Sequence, residues 1–162
     1  MPARPVDLDP ASIRILEHLQ KDSEIGIGDL AEAVGLSTSP CWRRVADLKA
    51  RGIIRRCVAV ADPQALGLHV NVFVHVSLEK QTQAALQAFS DAIRHRPEVM
   101  ECYLMSGEAD YMLRVVVEDL AEYQRLIVDH LTRIPGVAKI RSSFALDQVK
   151  YTTALPLDHL KG

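Results

Sequence analysis

The sequence has no long hydrophobic run. Its longest apolar stretches are short, such as "VNVFVHV", far below the roughly 20 residues a membrane-spanning helix needs, so no membrane partner is expected. The first residues, "MPARPVDLDP", carry no apolar stretch of the kind a secretory leader has, and a cytoplasmic location is expected. Cysteine is scarce and odd in number. Cys41, Cys57 and Cys102 are widely spaced with no CxxC pair, which argues against a disulfide framework and a zinc site. The six histidines show neither HxxxH nor HExxH spacing, so no metal is expected. There is no G-x-S-x-G elbow, no phosphate loop and no dinucleotide fingerprint. No catalytic residue and no cofactor are therefore expected.

What is present is uneven charge. The 162-residue chain has a formal charge of -2. From Leu36 to Arg56, six basic side chains (Arg43, Arg44, Lys49, Arg51, Arg55, Arg56) face a single acid, Asp47, a net of +5. From Ala61 onward ten basic side chains meet thirteen acidic ones, a net of -3. Such asymmetry suggests a polyanion partner for the first part and a different task for the second. The plainer alternative is a solvated helix face with surface ion pairs.

The first third reads as three short helices. "LDPASIRILEHLQKDS" has Asp9 as N-cap and Pro10 at the first helical position, with Ile13, Ile15, Leu16 and Leu19 as its apolar stripe. "IGDLAEAVG" turns Leu30, Ala31 and Val34 inward, and Gly35 stands where a left-handed cap is wanted. "GLSTSPCWRRVADLKARG" is the third helix. Ser37 is its N-cap, Pro40 lies in the first turn, and Cys41, Val45 and Leu48 form the buried face. Two helices joined by the turn "GLS" are a helix-turn-helix pattern. "IIRRCVAVA" then reads as a strand or wing.

"DPQALG" marks the domain boundary, and beyond it the period changes. "HVNVFVHVSL" is a strand with Val70, Val72, Val74 and Val76 on one face. "TQAALQAFSDAIRHRP" is a helix with Leu86, Phe89 and Ile93 inward. "VMECYLMSG" and "ADYMLRVVVE" are strands joined by a tight turn at Gly107. "DLAEYQRLIVDHLTRIPG" is a helix capped by Asp119, and "VAKIRSSFAL" is a fourth strand. The order β-α-β-β-α-β is the split βαβ, ferredoxin-like arrangement. The tail "DQVKYTTALPL" is extended and apolar enough to need a partner surface.

A helix fits the major groove, and its N-terminal side chains reach base edges and phosphates. Ser37, Thr38 and Ser39 supply hydroxyls at the N-terminus of the third helix, and Arg43 points outward, able to form a bidentate pair with guanine. Lys49, Arg51, Arg55 and Arg56 are placed for phosphate contacts, which set affinity and register. Arg44 lies beside the buried face and suits either a phosphate or an ion pair with an acid such as Asp22. Trp42 is counted with this set, although a packing role at a subunit or wing contact is the commoner one. Double-stranded DNA is the expected partner.

Six segments together resemble the family of leucine-responsive and asparagine-responsive bacterial regulators, Lrp/AsnC. They are "LDPASIRILEHLQKD", "LAEAVGLSTSPCWRRVADLKARGII", "DPQALGL", "SGEADYMLRVVV", "YQRLIVDHLTRIPGV" and "VKYTTALPL". The resemblance covers nearly the whole chain. It implies an α+β chain: a winged helix-turn-helix domain over 1–60, a linker over 61–68, and a ferredoxin-like effector and assembly domain over 69–162. It also implies a homodimer assembling into an octamer, a ring of four dimers, with a small amino acid as effector.

"SGEADY" (Ser106, Gly107, Glu108, Ala109, Asp110, Tyr111) has two readings. It can be a hairpin in which Gly107 supplies the positive φ, Asp110 makes a local turn bond and Tyr111 packs. It can instead hold an amino acid, with Asp110 on the ammonium and backbone N–H groups near Gly107 on the carboxylate. The resemblance favours the second and points also to Ser143, Phe144, Ala145 and Leu120. A wall of Leu104, Leu120, Phe144 and Ala145 has no counter-charge, so an apolar amino acid is expected. Two alternatives share parts of this pattern. One is an enzyme on a regulator-like ferredoxin fold, as in dimeric α/β barrels or siroheme decarboxylases. The other is an architectural DNA-binding protein with no effector.

Overall fold

The structure is a computed structural model and describes residues 7–161. The chain forms two compact units, Met1–Ala59 with Lys150–Gly162, and Val60–Val149. The sequence-based division runs the second domain to the C-terminus. The structure instead groups the tail with the first unit.

In the first unit, α1 spans Pro10–Leu19, α2 Ile27–Ala33 and α3 Thr38–Ala50. Asp9 caps α1 by accepting from the Ser12 N–H at 2.6 Å, and Pro10 follows at the first helical position, where no N–H is needed. Gly35 ends α2 at φ +70°, a left-handed conformation that side chains bearing a Cβ resist. Ile15, Leu16, Leu30, Ala31, Val34, Cys41 and Leu48 form the core of the unit. Leu157 from the tail packs against this core, and Leu155 is fixed to α1 by two bonds. Its N–H donates to Gln20 Oε1 at 2.7 Å, and its carbonyl accepts from Gln20 Nε2 at 3.2 Å. Lys161 adds an ion pair with Glu17 at 2.6 Å. Of the tail's large apolar residues only Leu157 is covered by this unit, while Val149, Tyr151 and Leu155 remain exposed.

The segment after α3 corrects an expectation. No strand forms over residues 53–61, and Val58 and Val60 are exposed. A lone extended segment has no ladder to join, so its β-branched residues are insufficient to make a strand.

In the second unit the elements are β1 (Val70–Leu78), α4 (Gln83–Arg94), β2 (Val99–Leu104), β3 (Tyr111–Val117), α5 (Leu120–Arg125) and β4 (Val137–Phe144). They build one antiparallel sheet in the order β2-β3-β1-β4. Thr82 and Asp119 cap α4 and α5 with their side chains. Val72, Val74, Val76 and Leu78 of β1 join Leu113, Val115 and Val117 of β3 on the helix side, against Phe89, Ile93, Tyr123, Leu126 and Leu131. The alternate residues Asn71, Phe73, His75 and Ser77 are half-buried on the other face.

The sequence reads one helix from Asp119 to Pro135, but only Leu120–Arg125 is α-helical. Leu126–His130 is a π-turn and Leu131–Arg133 a 3₁₀ turn. Leu126 and Leu131 are both buried and lie five apart. An α-helix would point them to different sides, whereas i→i+5 bonding brings them back to one side.

Candidate functional site

On α3 the capping residue Ser37 is extended, and its hydroxyl makes no bond to the helix, leaving it free alongside the exposed Thr38 and Ser39. Trp42 and Arg43 are exposed in the next turn. Among the described residues, Arg43, Lys49, Arg55 and Arg56 form no ion pair. Two other cations are engaged. Arg44 is held by Asp9 rather than Asp22, through Nη2 at 2.9 Å and Nε at 3.1 Å to one carboxylate oxygen. Asp22 instead accepts from the Glu24 N–H. The Arg44 guanidinium and the Ser12 N–H hold the Asp9 carboxyl at about 2, below its ordinary 3.8. Arg51 pairs with Asp47 at 3.1 Å and donates to the Asp7 carbonyl at 3.1 Å. The remaining free cations and hydroxyls lie on a helix or just beyond its end, an arrangement suited to a phosphate-lined groove.

In the second unit, the connection Met105–Asp110 is a six-residue loop rather than a tight turn. It is closed by the Met105 N–H donating to the Asp110 carbonyl at 2.8 Å. Gly107 sits at φ +147°, where glycine is at ease and other residues are strained. The Asp110 carboxylate makes neither a local turn bond nor an open ammonium seat. It is buried, with one oxygen accepting from the Leu78 N–H at 2.7 Å and the other from Gln81 Nε2 at 2.6 Å. These bonds fasten the loop to the end of β1. Tyr111 is buried against Phe89, and its hydroxyl donates to the Leu86 carbonyl at 2.9 Å. Ser106, Gly107 and Glu108 are exposed, and Glu108 pairs with Arg141 at 3.1 Å. The N–H groups of these three make no hydrogen bond among the described residues, so they can receive a carboxylate.

The other expected effector residues lie elsewhere in the second unit, with Leu120 the first residue of α5 and Ala145 just beyond β4. Leu104 is on edge strand β2, level with Tyr111 and Val76, whereas Phe144 is on edge strand β4, level with Val72. Three strand spacings separate them, about 14 Å across the sheet before any offset along it. Phe144 stands edge-on to Tyr123, with ring centroids 5.3 Å apart, and the Ala145 N–H donates to the Asn71 carbonyl at 2.9 Å. Leu104, Leu120 and Phe144 are all exposed. One chain therefore puts Leu104 at one corner of the sheet and Ser143, Phe144 and Ala145 at the diagonal one, while the loop reaches over the end of β1, where Glu108 meets Arg141 of β4. Sequence reasoning missed Gln81 and Leu78, which hold Asp110 from 29 and 32 positions away. No local pattern signals such a bond.

A three-helix unit with a cationic reading helix, followed by an antiparallel sheet backed by helices, defines a DNA-binding regulator with a separate ligand domain. Family comparison agrees. Residues 8–55 match the winged helix-turn-helix DNA-binding model, and residues 71–155 match the Lrp/AsnC ligand binding domain. The chain is 47% identical to the Bkd operon transcriptional regulator of Pseudomonas aeruginosa, over 93% of this chain and 99% of that one. An AsnC family transcriptional regulator from Agrobacterium tumefaciens superposes with a TM-score of 0.90 at 43% identity, covering 94% of this chain and 99% of that one. A transcriptional regulator from Neisseria meningitidis, solved in complex with L-Met, superposes with a TM-score of 0.90 at 37% identity and the same coverage. The chain belongs to the Lrp/AsnC family: it is a DNA-binding transcriptional regulator, not an enzyme. Among the described residues no helix is long and apolar enough to cross a membrane.

Proposed function

We propose that this chain acts in the cytoplasm as a homodimer that reads two DNA half-sites and assembles further, to a ring of four dimers. A small apolar amino acid binds between copies and tunes that assembly. On each copy, Ser37, Thr38, Ser39 and Arg43 meet base edges and nearby phosphates, and Lys49, Arg55 and Arg56 meet the backbone. Arg44 and Arg51 border this surface from their ion pairs. The effector's carboxylate sits on the N–H groups of Ser106 to Glu108. Asp110 holds that loop in shape, and the apolar wall comes from Leu104 of one copy with Leu120, Phe144 and Ala145 of another. The half-buried open face of the sheet, around Phe73 and His75, is covered by a second copy. The L-Met bound to the Neisseria relative supports an apolar amino acid.

The observation that carries this reading is the separation of Leu104 and Phe144, which lie on opposite edge strands about 14 Å apart across the sheet, too far for one small ligand to pack on both within a chain. The test is complementation. A loop variant, Gly107→Val, and an edge variant, Phe144→Ala, are each expected to lose the thermal shift given by the best of the twenty amino acids. Co-expressed, mixed assemblies regain about a quarter of the sites, because random pairing puts an intact loop against an intact edge that often. No recovery in mixed assemblies would place the whole site within one chain.

A further inference from the structure

Trp42 is the fifth residue of α3 and is 62% exposed. It belongs to neither apolar core and stands in no aromatic pair among the described residues. The packing role against the wing is therefore not taken up within this chain. Helical spacing sets Trp42 beside Thr38 and Ser39 on one side and Ala46 on the other, at the border of the outward face that carries Arg43. Its indole is the one large apolar surface exposed on a helix whose other exposed side chains are small or polar. Arg43 next to it, and Lys49, Arg55 and Arg56 further along the chain, form no ion pair among the described residues and suit a polyanion rather than an apolar protein surface.

Within the major groove, thymine alone among the bases offers an apolar group at its edge, the 5-methyl. Adenine, guanine and cytosine present hydrogen-bonding edges there. Resting on the reading of α3 as the helix that enters the groove, we propose that Trp42 determines sequence preference by packing its indole on a thymine methyl. It does so at one thymine per half-site, beside the base read by Arg43. The exposed indole then has a function. Left in water, it would leave exposed most of the apolar area that makes tryptophan useful in an interface.

The experiment uses the full chain. Duplex DNA is selected from a random pool at fixed salt, and each thymine of the enriched site is replaced in turn by deoxyuridine, which lacks only the methyl. Wild type is expected to lose about three- to fivefold in affinity at one thymine per half-site, the effect of one buried carbon, and about ten- to twentyfold when both half-sites are changed. Trp42→Ala should bind thymine and deoxyuridine equally at that position while keeping its preferences elsewhere, and Trp42→Phe should retain part of the difference. Exposure of the side chain means that neither variant disturbs a core. The inference is overturned if no deoxyuridine changes wild-type affinity, or if the penalty persists in Trp42→Ala. It is also overturned if Trp42→Ala weakens random DNA equally, which marks a phosphate contact, or dissociates the dimer, which marks a subunit contact. A pool that enriches no sequence would remove the groove reading of α3 and this inference with it. An enriched pool without thymine sensitivity removes the inference alone.

Discussion

Along α3 and just after it, Arg43, Lys49, Arg55 and Arg56 stand free of any acid among the described residues. In the loop Met105–Asp110, by contrast, the acidic side chains are already engaged. Asp110 is bound to Leu78 and Gln81, and Glu108 to Arg141. The first surface can meet a polyanion as it stands in one chain. The second offers exposed N–H groups and a leucine, while the exposed Phe144 lies on the opposite edge strand. The contrast teaches how the two tasks depend on assembly. On the reading proposed above, each copy carries its own DNA contacts and symmetry doubles them, whereas the effector site forms between copies.

The largest effect expected from this contrast is on salt dependence. With Lys49, Arg55 and Arg56 from two copies neutralising about six phosphates, the slope of log affinity against log salt is about -5. Affinity then falls about 10³-fold between about 50 and about 200 mM salt. Neutralising Arg55 and Arg56 together should bring the slope to about -2. An unchanged slope would show that these free cations are not the phosphate contacts.

Next in size is the loop. Asp110→Ala strands a buried N–H at Leu78 and should destabilise the second unit by about 1.5–3 kcal/mol in denaturant unfolding. Effector binding should weaken with it, while DNA binding without effector persists. Full stability in Asp110→Ala would mean that the carboxylate is free for a ligand after all.

The smallest effect is at Asp9. Its carboxyl is depressed to about 2, so the stability it lends is fully present above pH about 4 and is lost as the pH falls towards 2. Side chains 33% and 47% exposed limit that gain to less than about 1 kcal/mol after solvent screening. Asp9→Asn keeps an oxygen for the cap and should flatten this acid limb. An acid limb of unchanged steepness would assign it to other carboxylates.

Where a structural feature depends on residues close in the chain, it was legible in the sequence. The caps at Asp9 and Asp119 and the alternation along β1 follow from local chemistry, and so do the three helices and the element order of a split βαβ. Features that join distant residues were not legible. Arg44 meets Asp9 across 35 positions, and Gln20 meets Leu155 across 135. The apolar tail did not show that only Leu157 would be covered by the first unit. The π-turn at Leu126–His130 was hidden because either helical period fits its apolar residues until Leu131 is known to be buried. The strand expected over the wing segment failed for the complementary reason, since a strand requires a neighbour that the local sequence does not contain. For the residues proposed to meet the effector, the placement of Leu104 and Phe144 on opposite edge strands emerged only from the register.

The central claim is that the outward face of α3 reads base sequence while the cations flanking it hold the backbone. It is tested most directly by measuring the affinities of wild type and Arg43→Ala for a selected site and for random duplex DNA at one salt concentration. The account predicts a loss of about 1–3 kcal/mol on the selected site, with preference relaxed at one base position and affinity for random DNA nearly unchanged. An equal loss on both DNAs would make Arg43 a phosphate contact and contradict the assigned reading face.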